Sequence, residues 1–347
     1  MKMKAALQSD RGFSIRTVDI EDPRPDEVLV RLAACGICHT DIMMHGSDQL
    51  LGHEGSGIVE CVGSSITDIK SGDHVVISYT SCGHCLACRK RMPYKCDCLY
   101  SPFFLGYRED GTSSVSRDGA YIPTLIMQGS FAQYTVAHKS SIVKVEDSLD
   151  LKVLAPLGCG MMTGAGAIVN YLEPEKGASI LICGLGAVGF GALAAARKSG
   201  CGRIIVVDRI QERLNLALEF GATDAINGDS VSDVTDAIRD ICSEVDYGYD
   251  STGSQRLLDA MEQVLKRDGK ACGVGGGHLN GFGWETTDEG YSIPQIMIPE
   301  MIRWYREGVF PIDRLLKFYP FVKINEAVAD IQKGKVIKPV LVMEVEK

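Results

Sequence analysis

The sequence predicts a chain with two kinds of architecture, a β-rich part followed from about residue 151 by an α/β part with a parallel sheet. In the first part, short β-branched runs such as EVLVRLAACGIC and DHVVISY are separated by Gly, Asp and Ser. In the second, short apolar runs such as SILICGLGAVG and RIIVVDR alternate with helix-like segments, which predicts a parallel sheet with crossover helices. The length of 347 residues is typical of about two domains.

The helical segments of the second part show the expected periodicity. In RIQERLNLALEFGA, Leu214, Ala217 and Leu218 fall at helical spacing, and Gly221 follows as a C-cap. After about residue 290, IPEMIRWYREG and INEAVADIQKG predict two more helices, and KPVLVMEV predicts a closing strand.

Composition excludes several classes of function. A net charge of −9 and a pI near 5.4 argue against nucleic acid as a partner. No run of about 18 apolar residues predicts a membrane span, and the opening residues MKMKAALQSDRGFS lack the apolar core of a secretory signal. We therefore expect a cytoplasmic protein with reduced thiols, in which clustered cysteines bind metal. Scattered cysteines are expected to be small core residues: Cys61, Cys98, Cys183, Cys201, Cys242 and Cys272.

A glycine turn predicts dinucleotide binding. SILICGLGAVGFGALAAARKSG places Gly184, Gly186 and Gly189 in the G-x-G-x-x-G pattern, between a predicted strand and a helix. These glycines allow a tight turn, close approach of a pyrophosphate and close helix–strand packing. Asp208 ends the next strand, nineteen residues after Gly189, where an acid binds the adenosine ribose and repels a 2′-phosphate. The pattern favours NAD over NADP.

Two cysteine-containing stretches predict metal sites. Cys82, Cys85, Cys88 and Cys96 form C-x2-C-x2-C-x7-C, and four thiolates complete the tetrahedral shell of a structural zinc. The stretch CHTDIMMHGSDQLLGHE offers Cys38 and His53, which are too few for a catalytic zinc with three protein ligands. In APLGCGMMTGAGA, Cys159 is a candidate for the third ligand, although the sequence alone does not single it out.

In this order, CGICHTD, GHEGSGIVECVG, the four-cysteine lobe, LGCG, TGAGA and GLGAVG resemble the zinc-dependent alcohol dehydrogenases of the medium-chain dehydrogenase/reductase family. The ending LLKFYPFVKINEAVADIQKGKVIKPVL resembles the aryl (benzyl) alcohol dehydrogenase branch. The resemblance covers essentially the whole chain. It implies a GroES-like catalytic domain at 1–155 and 290–347, with the structural zinc lobe at about 80–100, and an inserted Rossmann NAD-binding domain at 156–289.

The resemblance also implies roles for individual residues. Cys38, His53 and Cys159 match the ligands of the catalytic zinc. Glu54 matches an acid that can approach the zinc during ligand exchange. Asp41 matches the acid that orients the ligating histidine.

Thr40 matches the hydroxyl that hydrogen-bonds the substrate oxygen and takes up the proton of the alcohol. The matching dinucleotide contacts are His39 and Lys338 for the pyrophosphate, Arg213 near the adenosine ribose, and Thr163, Val188 and Val274 around the nicotinamide. For Val188 and Val274, plain core packing is the alternative.

The chain departs from the family pattern near the metal. Relatives carry a histidine five residues after the first zinc cysteine, at the end of a proton relay, where this chain has Met43. His45 is the alternative relay base, but solvent is the expected proton acceptor. The segment from Cys38 to His53 is also short, so we expect a more open or differently lined cleft. Candidate pocket residues are Met43, Tyr79, Phe103, Phe104 and Met127.

The resemblance implies reversible oxidation of a primary aryl or allylic alcohol to the aldehyde, with two Zn²⁺ per chain and hydride transfer to NAD. It also implies a homodimer or homotetramer whose only other partner is the small-molecule alcohol or aldehyde. One alternative is a biosynthetic reductase that works on an unsaturated aldehyde in the reverse direction. A second alternative, of another class, is a non-catalytic relative that retains zinc and NAD.

Overall fold

The structure is a computed structural model and describes residues 1–9, 12–44, 46, 48–276, 279 and 284–343. The strands of the described chain are β1 (Lys2–Ser9), β2 (Gly12–Ile20), β3 (Glu27–Gly36), β4 (Glu54–Val62), β5 (His74–Ile77), β6 (Val115–Arg117), β7 (Ala120–Ile122), β8 (Tyr134–His138), β9 (Ile142–Val145), β10 (Ser179–Cys183), β11 (Arg203–Asp208), β12 (Asp224–Asn227), β13 (Val245–Asp250), β14 (Leu265–Gly273), β15 (Trp284–Thr286), β16 (Leu316–Pro320) and β17 (Lys338–Val342).

The α-helices of the same residues are α1 (His39–Met43), α2 (Leu86–Arg89), α3 (Leu151–Leu154), α4 (Gly160–Gly166), α5 (Ala187–Ser199), α6 (Gln211–Glu219), α7 (Val234–Ile241), α8 (Gln255–Val264), α9 (Pro294–Arg306) and α10 (Ile324–Gln332). Short 3-10 or π turns lie at Pro93–Lys95, Leu99–Phe103, Leu125–Met127, Lys139–Ser141, Ala155–Gly158, Ala167–Leu172, Asp288–Tyr291, Ile312–Leu315 and Phe321–Lys323.

The chain divides into two compact units. The first comprises Met1–Cys159, Ile293–Pro299 and Ile312–Lys347, and the second comprises Gly160–Ser292 and Glu300–Pro311. The prediction grouped Glu300–Pro311 with the β-rich domain. In the structure this segment belongs to the second unit, where Glu307 pairs with Lys198 of α5 at 2.6 Å.

The first unit is β-rich, as the sequence predicts. A seven-stranded sheet has the order β16-β17-β3-β4-β5-β9, with β8 also paired to β3, and a four-stranded sheet has the order β1-β2-β6-β7. Strand β3 is the centre of the larger sheet, since β4 pairs along its length while β8 and β17 pair with its two halves. The residues that follow β3 and begin β4 are therefore held at one place.

The second unit contains a parallel six-stranded sheet in the order β12-β11-β10-β13-β14-β15. Counted from β10, this is the order 3-2-1-4-5-6 of a dinucleotide-binding sheet, which confirms the predicted α/β architecture. Helices α7 and α8 bury apolar side chains such as Ile238 and Met261 against this sheet. In α6, Leu214 and Ala217 are buried as expected, but Leu218 is 45% exposed because the buried stripe of this short helix is narrow.

The structure corrects the expected burial of the scattered cysteines. Cys183 and Cys272 are buried, whereas Cys98, Cys201 and Cys242 are only partly buried and Cys61 is exposed. A register shift in the β3–β4 pairing places Cys61 opposite Leu29 while Val59 lies opposite Val30, which interrupts the alternation of inward and outward residues. None of the thirteen cysteines is in a disulfide bond.

No single helix among the described residues is long and apolar enough to cross a membrane. Two consecutive helical segments, Leu151–Gly158 and Gly160–Leu172, have the length and apolar composition of a membrane span only when they are taken together, across a bend. Their apolar side chains are largely buried in the protein, as in the core helices of a globular fold.

Candidate functional site

The three predicted zinc ligands are brought together in the first unit. Cys38 follows strand β3 and precedes α1, His53 immediately precedes β4, and Cys159 follows the turn Ala155–Gly158. The donor atoms of Cys38, His53, Glu54 and Cys159 all lie within 4.8 Å of one another. Two thiols and one imidazole are the donor set of a catalytic zinc with an open fourth position, so these residues fit that metal.

Asp41 fixes the orientation of the histidine ligand. Its carboxylate is 1% exposed and accepts hydrogen bonds from the backbone amides of Cys38 at 2.9 Å and Gly52 at 3.0 Å. Nδ1 of His53 lies 3.1 Å from the same carboxylate. When Nδ1 donates to Asp41, Nε2 carries the lone pair that a metal binds. The structure therefore places Asp41 where the resemblance implies.

The electrostatics of the cluster favour a cation. A hydrogen bond with Cys159 and the neighbouring His53 lower the pKa of Cys38 well below the usual thiol value, although burial opposes this shift. Burial lowers the pKa of His53, but Asp41 and the Cys38 thiolate raise it well above its usual value. The cluster thus holds a thiolate and a buried carboxylate next to the imidazole.

Glu54 and Lys338 form a buried ion pair behind the ligands. The Nζ atom of Lys338 lies 2.8 Å from both carboxylate oxygens of Glu54 and also donates to the carbonyl of Ile37 at 3.1 Å. Lys338 is 2% exposed, and burial would lower its pKa, but the Glu54 carboxylate raises it well above the usual value. All three ammonium hydrogens of Lys338 have partners inside the protein in this structure, and its contact with a pyrophosphate stays a prediction.

The other predicted residues near the metal have different degrees of exposure. Oγ1 of Thr40 lies 3.7 Å from the Sγ atom of Cys38, so its hydroxyl is adjacent to the ligand set. His39 is exposed on the same helix. Met43, expected to line the pocket, is 64% exposed because it lies at the free end of the short helix α1. His45 lies outside the described residues.

The other four candidate pocket residues are at least partly covered in the first unit. Tyr79, Phe103 and Met127 are buried, and Phe104 is half-buried.

The second metal cluster has the geometry of a closed zinc site. The sulfur atoms of Cys82, Cys85, Cys88 and Cys96 lie within 4.8 Å of one another, and Cys82 and Cys88 are 3.9 Å apart. A tetrahedral site with Zn–S bonds of about 2.3 Å requires sulfur atoms roughly 3.8 Å apart, so the residues fit zinc.

Backbone amides already point at the sulfurs of this lobe, including those of Cys85 to Cys82 Sγ at 3.3 Å and of Cys88 to Cys85 Sγ at 3.4 Å. Cys98 does not belong to the cluster. Burial and the neighbouring thiols raise the pKa of Cys98 to about 12.

The glycine turn of the second unit fits a dinucleotide. A Cβ atom at Gly189 would collide with the carbonyl of Gly184, so the third glycine allows the close packing of α5 on β10. Gly186 is the N-cap of the thirteen-residue helix α5, and a Cβ atom there would meet nothing within 4 Å. This open backbone at a helix N-terminus is suited to a pyrophosphate.

Asp208 lies at the end of β11, next to the glycine turn. Its carboxylate accepts hydrogen bonds from the backbone amides of Leu185 at 2.6 Å and Ile210 at 2.9 Å. Arg213 lies in the following helix, where burial lowers its pKa although Asp208 raises it. Asp208 therefore also connects the turn to β11, a role that the motif did not predict.

The remaining dinucleotide candidates also lie in the second unit. Thr163 is buried in α4 and Val188 is half-buried in α5. Val274 directly follows β14 and donates its backbone amide to the carbonyl of Asp250 at 3.1 Å.

Sequence reasoning missed two side chains that support the metal cluster. Gln128 is 1% exposed and hydrogen-bonds the carbonyl of His53 at 3.1 Å and the amide of Gly55 at 2.9 Å. Ser78 is fully buried and donates to the carbonyl of Gly158, next to Cys159, at 2.6 Å. Neither residue lies in a recognisable motif, because its partners are distant in sequence.

Comparisons with known proteins agree with this architecture. Residues 24–147 match the alcohol dehydrogenase GroES-like domain, and residues 187–298 match the zinc-binding dehydrogenase family. The chain is 38% identical to geraniol dehydrogenase from Castellaniella defragrans over 95% of this chain and 94% of that protein.

Two solved structures are similar along nearly the whole chain. An alcohol dehydrogenase zinc-binding domain protein from Burkholderia ambifaria has a TM-score of 0.93 at 38% identity, and benzyl alcohol dehydrogenase from Acinetobacter calcoaceticus has a TM-score of 0.91 at 36% identity. Each comparison covers 99% of this chain and 100% of the other.

Proposed function

Because the chain belongs to the zinc-dependent alcohol dehydrogenases of the medium-chain dehydrogenase/reductase family, we propose that it oxidises a primary aryl or allylic alcohol to the aldehyde with NAD. The observation that carries this proposal is the convergence of Cys38, His53 and Cys159 beside the Thr40 hydroxyl. A donor set of this kind binds zinc with one open position, and a hydroxyl next to it can bind the oxygen of a substrate.

Some side chains of this site would bind the metal, and Thr40 would transfer the proton. When bound, zinc supplies Lewis acidity that makes an alcohol more acidic, and NAD supplies the hydride acceptor. Asp41 holds the imidazole of His53 in the orientation that a metal requires. The hydroxyl of Thr40 accepts the proton of the alcohol while it donates its own proton to water, since Thr40 is only half-buried and follows the exposed His39.

Two relatives support the choice of substrate class. Geraniol is an allylic primary alcohol and benzyl alcohol is an aryl one, and the dehydrogenases named for them share 38% and 36% identity with this chain. In both alcohols the reacting carbon is attached to a π-system, so the aldehyde product is conjugated. The direction of the reaction in the cell depends on the ratio of NAD to NADH.

We also propose a cytoplasmic location and a homodimeric or homotetrameric assembly. The location is supported by the thirteen cysteines, none of which is in a disulfide bond, as suits a reducing compartment. The assembly is an expectation from the family resemblance, and light scattering of the purified protein measures it.

The proposal is tested by NADH formation at 340 nm with a matched panel of alcohols. Benzyl, cinnamyl and geranyl alcohols should exceed ethanol and a saturated primary alcohol of similar size in kcat/KM by at least about tenfold, which is ~1.4 kcal/mol of transition-state stabilisation. A protein that prefers the saturated alcohols would contradict the substrate class. A zinc-loaded protein that forms no NADH with any member would contradict the reaction.

A further inference from the structure

Two buried side chains, Gln128 and Ser78, connect segments that carry different metal ligands. The amide of Gln128 uses its full hydrogen-bonding capacity. Nε2 donates to the carbonyls of His53 at 3.1 Å and Ser78 at 3.2 Å. Oε1 accepts from the amide of Gly55 at 2.9 Å and from Ser130 Oγ at 2.6 Å. Gln128 therefore holds the backbone on both sides of Glu54.

Ser78 continues this connection to the third ligand. Its hydroxyl donates to the carbonyl of Gly158 at 2.6 Å, and Gly158 is followed directly by Cys159. A Cβ atom at Gly158 would collide with the carbonyl of Ile77, so the turn before Cys159 lies tightly against the end of β5. One continuous path thus runs from the His53 carbonyl through Gln128 and Ser78 to the Cys159 segment.

This hydrogen-bonded path connects two metal ligands that are distant from each other in the sequence. His53 and Cys159 are separated by 106 positions (159 − 53), and they lie at the ends of different elements. A metal site requires its ligands within a few tenths of an ångström of the correct positions. Both connecting side chains are fully shielded from solvent, so water cannot replace a lost hydrogen bond there without a structural change.

We propose that Gln128 and Ser78 are positioning residues that set the spacing between His53 and Cys159 and so determine how tightly the catalytic zinc is retained. The inference rests on the metal-dependent chemistry of the proposed function, but it does not depend on the identity of the alcohol. Supporting partners of metal ligands typically change metal affinity by about 10–100-fold. An effect of that size on one zinc alone distinguishes positioning from general core stability.

The test measures zinc release from the full-length protein into excess chelator for Ser78→Ala, Gln128→Met and the double variant. The control is Ser141→Ala, because Ser141 is equally buried and donates to a backbone carbonyl, that of His138, at 2.7 Å. Thermal unfolding of each zinc-loaded protein is recorded in parallel, so that loss of stability is separated from loss of metal.

Each single variant should release one zinc per chain about tenfold faster, while the zinc of the four-cysteine lobe and the behaviour of Ser141→Ala stay as in the parent protein. The increase in the zinc-release rate of the double variant should be smaller than the product of the increases in the two single variants, since both side chains act through one path. If Gln128→Met does not fold, Ser78→Ala alone decides, as it removes a single hydroxyl.

Unchanged release in Ser78→Ala would overturn the proposal, as would equal acceleration of both zincs. Failure of the proposed function is a separate result. It would appear as absent NADH formation in the parent protein, whatever the release rates of the variants.

Discussion

Replacing Asp41 by Asn tests how the protein prepares its histidine ligand. The Asp41 carboxylate receives three donors, which are the amide of Cys38 at 2.9 Å, the amide of Gly52 at 3.0 Å and Nδ1 of His53 at 3.1 Å. Asparagine has the same shape but only one acceptor oxygen. In the better orientation its oxygen keeps His53 and Gly52, and its NH₂ group then faces the amide of Cys38.

The expected loss of zinc affinity in Asp41→Asn follows from the lost hydrogen bond to the amide of Cys38. Removing one hydrogen bond to a buried charged group costs about 1.5–3 kcal/mol. Conversion at 1.4 kcal/mol per factor of ten gives a zinc affinity roughly 10–100-fold weaker. This range agrees with the usual effect of changing a residue that supports a metal-bound histidine.

The assay is competition between the protein and a chelator of known affinity, with bound zinc measured per chain. The matched control is Asp73→Asn, which removes another buried carboxylate of the same unit, one that accepts from the amide of Lys70 at 3.0 Å and pairs with Lys144 at 2.8 Å. Asp41→Asn should weaken one zinc and spare the other, and Asp73→Asn should spare both. An unchanged affinity in Asp41→Asn would refute the role given to this carboxylate.

Outcomes are expected for four further variants. Cys159→Ala should lose one zinc and at least about 100-fold in turnover while it stays folded, whereas Cys85→Ala should lower the Tm by opening the four-cysteine lobe. Asp208→Asn should reduce the preference for NAD over NADP by about tenfold in kcat/KM, since the acid that repels a 2′-phosphate is gone. Partial burial raises the pKa of Asp246, but hydrogen bonds from Lys266 and Ser179 lower it to about 2. Its stabilisation, of order 1 kcal/mol for this partly exposed group, is therefore present above pH ~4 and lost towards pH 2, so the Tm deficit of Asp246→Asn should vanish there.

The sequence predicted the features whose determinants are local. The glycine turn at Gly184, Gly186 and Gly189 needs only a strand, a tight turn and a helix, and these are adjacent in the chain. The four-cysteine lobe is similarly compact. Alternation of strands and helices was sufficient to predict the parallel sheet, because short crossovers restrict its topology.

Interactions between distant segments were not predictable in the same way. The ammonium of Lys338 pairs with Glu54, a residue 284 positions away, and no sequence pattern indicates this ion pair. The exposure of Cys61 depends on a register shift between β3 and β4, and the sequence of one strand alone does not reveal how it pairs with another. Gln128 and Ser78 hydrogen-bond to backbone groups of segments that are distant in the sequence. Their roles depend on the folded structure, so no sequence motif predicts them.

Stepwise chelation with simultaneous measurement of zinc and turnover tests the central assignment most directly. The parent protein should contain about two zinc ions per chain, and NADH formation from benzyl alcohol should fall in proportion to the loss of the more labile one. Turnover should be abolished while the four-cysteine lobe still holds its zinc and the protein remains folded. Full turnover in a protein that retains only one zinc, in the four-cysteine lobe, would contradict the assignment of Cys38, His53 and Cys159 as the catalytic metal site.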